Sequence, residues 1–168
     1  MTRSKLTLLE MVILSLLGAL LFVIQVVLGF LPNIELVSVL IIVYTRVYGV
    51  KAFYPVYLFV ALEAIWYGIN TWVIQYSYVW ALLALAVLLL RRYKSRALWV
   101  LVNTVYGFVF GALCSITYFF VGGFSAMAAY WISGIPFDLL HMGGNFLTAL
   151  ILCEPLYRLL SRLKETIR

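Results

Sequence analysis

Positive charge in this chain falls only at alternate boundaries between its apolar runs. Arg3 and Lys5 precede the first run, Arg46 and Lys51 follow the second, and Arg91, Arg92, Lys94 and Arg96 follow the fourth. Arg158, Arg162, Lys164 and Arg168 close the last, and the boundaries between carry no Lys or Arg. A chain threaded back and forth through a bilayer produces this pattern, because cytoplasmic loops collect cations. The four clusters are therefore expected on the cytoplasmic side.

Composition agrees with lipid as the solvent. Hydrophobic residues make up 66% of the chain and charged ones 11%, against roughly 25% charged in a soluble domain. Mean hydropathy is +1.11. Crossing a hydrocarbon core takes about 20 helical residues, so 168 residues accommodate about six spans and no sizeable soluble domain. The expected fold is a single all-α integral membrane domain of six transmembrane helices, with both termini cytoplasmic. The spans are expected at about residues 7–30, 34–49, 52–69, 76–92, 97–121 and 134–160. The net charge of +6 is read as orientation rather than as a nucleic-acid surface. The first run lacks a small-residue cleavage site and reads as a retained span.

Turn residues punctuate the runs. Pro32 and Asn33 mark an outer turn, Tyr48 to Lys51 an inner one, and Gly122-Gly123 opens the longest outer connection. Span two is short and carries Glu35, Thr45 and Arg46, which predicts that it is tilted, broken or shielded by protein. Cys114 and Cys153 fall inside separate runs and are expected to be free thiols.

Ionisable groups within spans are costly and are default candidates for function. Asp138, His141 and Asn145 share one helical face by their spacing. Pro136 suits the first position of that helix, which would place Asp138 in the first turn. The same face also suits a capping Asp and a His bonded to a neighbouring helix. Glu63, Trp66, Tyr67 and Asn70 share a second face that climbs outward, as a pocket wall or around a packing carboxyl. Asn33 and Glu35 flank the first outer turn, where simple turn chemistry is the alternative.

The outer half is crowded with rings, among them Phe30, Trp66, Tyr67, Trp72, Tyr76, Tyr78, Trp80, Tyr118, Phe119, Phe120, Phe124, Tyr130, Trp131 and Phe137. Part belongs to an interfacial belt, and part is expected to enclose a flat, partly apolar ligand. Ser15, Gly18 and Ala19 on span one, and Gly107 and Gly111 on span five, form small-residue faces that let helices approach closely, within the chain or with a partner. No phosphate-binding loop of the G-x-x-x-x-G-K-[ST] type is present. One His and no Cys cluster leave a metal site unsupported. No cofactor is expected, and an enzyme is the less favoured class.

The last span opens with Gly134, Pro136, Asp138, His141 and Asn145 in a G-x-P-x-D-x-x-H-x-x-x-N pattern. With six short spans and a small-residue face on span one, this resembles the substrate-binding S component of an energy-coupling factor (ECF) vitamin transporter. The resemblance implies a binding subunit in the bacterial cytoplasmic membrane that takes its vitamin from outside. Its partners would be a transmembrane T component and two cytoplasmic ABC ATPases, and it would carry the ligand across by toppling in the membrane. Ser15, Gly18 and Ala19 would meet the T component, although family members carry a strict Ala-x-x-x-Ala pair where this chain has Ser15 and Ala19. Outer stretches about 30–35, 70–77 and 121–134 would line and close the pocket. Its residues would be Asn33, Glu35, Glu63, Trp66, Asn70, Tyr118, Tyr130, Trp131, Asp138, His141 and Asn145.

Leu31 to Val37, Tyr78-Val79-Trp80 and Gly134 to Asn145 are similar to a subgroup that includes proteins assigned to cobalamin and others linked to queuosine precursors. Cobalamin is the first expectation for the ligand, with a queuosine precursor, folate, riboflavin or a purine-like base as alternatives. A self-sufficient proton-coupled carrier using Glu63, Asp138 and His141, and an intramembrane enzyme using Asp138 and His141, are the rival classes.

Overall fold

The computed structural model describes residues 6–31 and 33–166. Arg3, Lys5, Pro32 and Arg168 lie outside the described residues. The described residues are predominantly helical, with no strand among them. The helices are α1 (Leu8–Leu28), α2 (Val37–Tyr48), α3 (Phe53–Tyr67), α4 (Thr71–Leu90), α5 (Arg96–Thr148) and α6 (Glu154–Thr166). A 3-10 turn, Gly49–Ala52, links α2 to α3, and a π-helical turn, Ala149–Cys153, links α5 to α6.

Four helical stretches among the described residues are long and apolar enough to cross a membrane: Leu8–Leu28, Val37–Tyr67, Thr71–Leu90 and Arg96–Thr166. That count corrects the expectation of six separate spans. Two of the stretches are bent. Gly49 has φ 63°, a conformation that disfavours side chains, and a Cβ there would overlap the Arg91 guanidinium. Within α5, Gly122 and Gly123 leave helical geometry, with Gly123 at φ 69°, so residues 96–121 and 124–148 form two arms.

That bend corrects a second expectation. Residues 124–133 are helix, and the connection between the arms is Gly122-Gly123 alone. Phe124-Ser-Ala-Met-Ala-Ala is mostly composed of good helix formers, and Pro136 lies inside the helix rather than at its first turn. Similarly, α4 begins at Thr71, earlier than expected, because Asn70 caps it.

α1 starts with a capping box between Thr7 and Glu10 and buries Leu14, Gly18 and Leu21. It runs parallel to α3: Ser15 Oγ reaches Tyr54 Oη at 3.4 Å, and Phe22 meets Trp66 edge-on. A Cβ on Gly18 would come within 3.0 Å of the Pro55 carbonyl and Leu58, so this glycine serves packing inside the chain. α2 is the buried helix. Every residue from Val37 to Thr45 is inaccessible, and 12 residues extend only about 18 Å, so its polar groups are shielded by protein rather than by a span of its own. Cys114 and Cys153 are free and buried.

The described cations gather at one end. Lys51 Nζ lies 2.6 Å from Glu10, Lys164 Nζ donates to the Val47 carbonyl at 2.5 Å, and Arg96 Nη2 donates to the Leu150 carbonyl at 2.6 Å. Buried Arg46 stacks between Trp99 (4.8 Å) and Tyr157 (3.7 Å), with Glu154 at 3.7 Å.

Candidate functional site

The opposite end is held by rings. Trp80, 1% exposed, lies within 5.2–6.2 Å of Phe59, Tyr76, Tyr106 and Phe110, centroid to centroid. Phe110 in turn meets the His141 ring edge-on at 4.9 Å. These side chains come from α3, α4 and both arms of α5, so burial of the rings also fixes how the helices converge.

At this convergence lies a cavity of about 150 Å³, lined by Gln25, Asn33, Glu35, Tyr76, Trp80, Phe110 and His141, with Gly29 and Leu31. Beside it an outer cavity of about 380 Å³ is lined by Tyr67, Trp72, Gln75, Cys114 and Tyr130. Gln25, Gly29, Tyr76 and Phe110 belong to both, so the two share a wall. Gln25 Nε2 donates to Tyr76 Oη at 3.2 Å across it.

Glu35 gives the inner cavity its carboxylate. Leu36, at the N-cap of α2, has no side-chain acceptor to offer. Glu35 supplies one instead, accepting the Ser38 N–H at 2.8 Å as well as the Ser38 hydroxyl, where a helix N-terminus favours negative charge. Its Oε1 also lies 3.2 Å from His141 Nε2. A buried acidic group retained against its desolvation cost needs such partners. His141 Nδ1 and Trp80 Nε1 are buried with no partner among the described residues, leaving two polar atoms on the lining residues unused.

The Asp138, His141 and Asn145 face turns toward the first arm of α5 and forms a seam. Asn145 Nδ2 donates to the Asn103 carbonyl at 3.2 Å, and Asn103 Nδ2 to the Asn145 carbonyl at 2.9 Å. A Cβ on Gly107 would fall 2.8 Å from the His141 carbonyl. The Gly111 N–H donates to Asp138 Oδ1 at 2.9 Å, where a Cβ would come within 2.5 Å of the carboxylate. Positions 103, 107 and 111 thus meet 145, 141 and 138 in antiparallel register. The glycines allow that approach, and of the three polar residues on the face only His141 lines a cavity.

The other expected site residues divide. Asn33, at φ 57°, and Glu35 line the inner cavity, and Tyr130 the outer. Tyr118 stacks on Tyr130 at 4.1 Å. Asn70 caps α4, accepting the Trp72 and Val73 N–H groups at 3.1 Å. Trp66 and Trp131 are 65% and 42% exposed and line neither cavity. Glu63 is fully buried on α3, with both oxygens unpartnered among the described residues, and outside both linings. Gln25, Gln75 and Phe110 line the site without standing out in the sequence, and Tyr76 and Trp80, expected there only among the outer rings, line it as well. The signal for Gln25 and Gln75 was present, since an amide within an apolar run is as costly as the Asn residues that were weighed. Asn103 pairs with Asn145 for the same reason.

The inner cavity presents a carboxylate, two amides, an imidazole, an indole and a phenol around flat apolar walls. Such a site recognises a planar molecule by its polar edge. Comparisons with protein-family models, with curated proteins and with solved structures return no match.

Proposed function

We propose that this chain is the substrate-binding S component of an ECF-type importer, taking a planar micronutrient from outside a bacterial cytoplasmic membrane. The observation that carries the reading is the ring-walled double cavity, with Glu35 and His141 on its lining, at the end of the molecule away from the cations. The positive-inside rule assigns the cationic end to the cytoplasm and the cavity to the outside. The bends at Gly49 and Gly122-Gly123 divide two of the four apolar stretches, and the first of these bends returns the cations at 46 and 51 to the same end as those at 91–96. The chain has no ATP-binding loop, so a T component and two ABC ATPases supply the energy. Since α3 covers Gly18, the surface of α1 left for the T component centres on Leu16, Ala19 and Leu20.

Cavities of about 150 and 380 Å³ favour a queuosine precursor, a flavin or the pterin end of a folate. Cobalamin, first by sequence resemblance, requires the outer end to open further. The test is uptake of labelled candidates by cells that express the chain with and without the T and ATPase subunits, together with mass spectrometry of what copurifies. Uptake that persists without those subunits rejects the coupled mechanism, and a copurified corrinoid rejects the preference for a small ligand.

Glu63 favours one second reading, a proton-coupled carrier, because a buried carboxyl with no partner is a proton-binding group by default. In that case an uncoupler abolishes uptake in cells lacking the ATPases, and Glu63→Gln does the same.

A further inference from the structure

A further cavity, of about 420 Å³, opens at the cationic end between the start of α5 and the face of α6. Arg96, Arg158 and Arg162 line it, with Glu154, Pro155 and Leu159. Arg158 and Arg162 are one helical turn apart and share a face, and Arg96 is drawn to them by the π-helical turn, whose Leu150 carbonyl accepts from its guanidinium at 2.6 Å.

The charges there do not balance. Glu154 is the one carboxylate lining the cavity, and it already accepts Arg158 Nε at 2.8 Å and lies 3.7 Å from Arg46. The side chain of Arg162 makes no hydrogen bond or ion pair among the described residues. Orientation in a membrane explains why cations lie at this end. It does not require three guanidiniums to converge on one opening.

We propose that this cavity binds the phosphate of an anionic membrane lipid. Guanidiniums recognise phosphate oxygens through paired N–H donors, and all three are exposed. A lipid fits better than a soluble anion, because the cavity adjoins apolar surface: Leu147, Leu150, Ile151 and Leu159 are 40–64% exposed on the adjacent turns and offer acyl chains a track away from the headgroup. The bound lipid would clamp α6 to α5 across the π-helical turn. This inference rests on membrane embedding and is independent of the ligand at the other end.

The test is native mass spectrometry of the full chain in neutral detergent, titrated with phosphatidylglycerol, phosphatidylcholine or inorganic phosphate. Phosphatidylglycerol is expected to bind and to raise the melting temperature, while the other two do neither. R158Q/R162Q should weaken it by roughly fivefold for each guanidinium removed, whereas the charge-matched R92Q/K94Q should keep wild-type affinity. Equal losses in the two double variants would reduce the effect to general positive charge and overturn the site. Binding of inorganic phosphate as tight as that of phosphatidylglycerol would overturn the lipid assignment, as would equal binding of phosphatidylcholine. If R158Q/R162Q fails to fold, R162Q alone carries the comparison, since no described side chain depends on it.

Discussion

The two ends of this molecule treat their polar groups differently. At the cationic end Arg46 is enclosed by two rings and a carboxylate, Lys164 and Arg96 each take a backbone carbonyl, and Lys51 takes Glu10. At the ring-lined end His141 Nδ1 and Trp80 Nε1 face no partner among the described residues, and nearby Asp138 keeps one oxygen unpaired. Buried polar atoms are usually satisfied; beside Arg46 the open Thr45 Oγ1 and Trp99 Nε1 lie outside the cavity of that end, whereas the open atoms of His141 and Trp80 belong to residues that line one, which suits the ring-lined end to receive a ligand. Substitutions at the cationic end should therefore change stability without changing recognition, while His141 at the ring-lined end serves both.

The largest effect is expected from His141→Ala, which removes a partner of the buried Glu35 carboxylate and costs about 3 kcal/mol. Thermal melting in detergent measures it, and Glu35→Gln in the same chain should restore part of the loss; a double variant no more stable than H141A breaks the pairing. Arg46→Ala should cost about 2 kcal/mol through its two ring contacts, with no change in ligand affinity, and Arg46→Lys should recover little because an ammonium has no planar face. Loss of ligand binding in a well-folded Arg46 variant would dissolve the contrast between the ends. Gly107→Ala tests the seam joining them, where a methyl group pressed against the His141 carbonyl should cost about 1–3 kcal/mol. Asn70→Ala should cost about 1 kcal/mol as a lost cap and leave binding intact, whereas a drop in affinity without a drop in melting temperature would return Asn70 to the pocket. Lys51→Met, which removes a half-exposed pair with Glu10, should change stability by less than about 1 kcal/mol.

Periodicity and charge made the helical class and the common end of the cations legible in the sequence, because both follow from what a bilayer excludes. The helix count was not, since a bend depends on backbone conformation at Gly49 and Gly123, and a glycine in a sequence does not reveal its φ. Residues 124–133 resemble a loop in sequence for a related reason: a glycine pair signals that a connection opens but not how long it runs, and here the pair is the whole of it. In the site, Glu35 and His141 stood out as ionisable groups in apolar surroundings, but nothing in one dimension shows that Asn145 faces Asn103 while His141 faces Glu35. Trp66 and Trp80 are indistinguishable by composition. Only the packing of α4 between α3 and α5 makes one an exposed ring and the other a wall.

Glu35 and His141 are 106 residues apart in the chain, and this has a consequence for biogenesis. When α1 and α2 have been made, the imidazole that will meet this carboxylate has not been synthesised, nor has the arm of α5 that carries it. Until then Glu35 has only the Ser38 N–H and hydroxyl as partners, so the polar setting of the buried α2 is completed when the C-terminal third of the chain arrives. The inner cavity is thus completed by one of the last segments made, and without His141 the Glu35 carboxylate would keep the Ser38 groups alone.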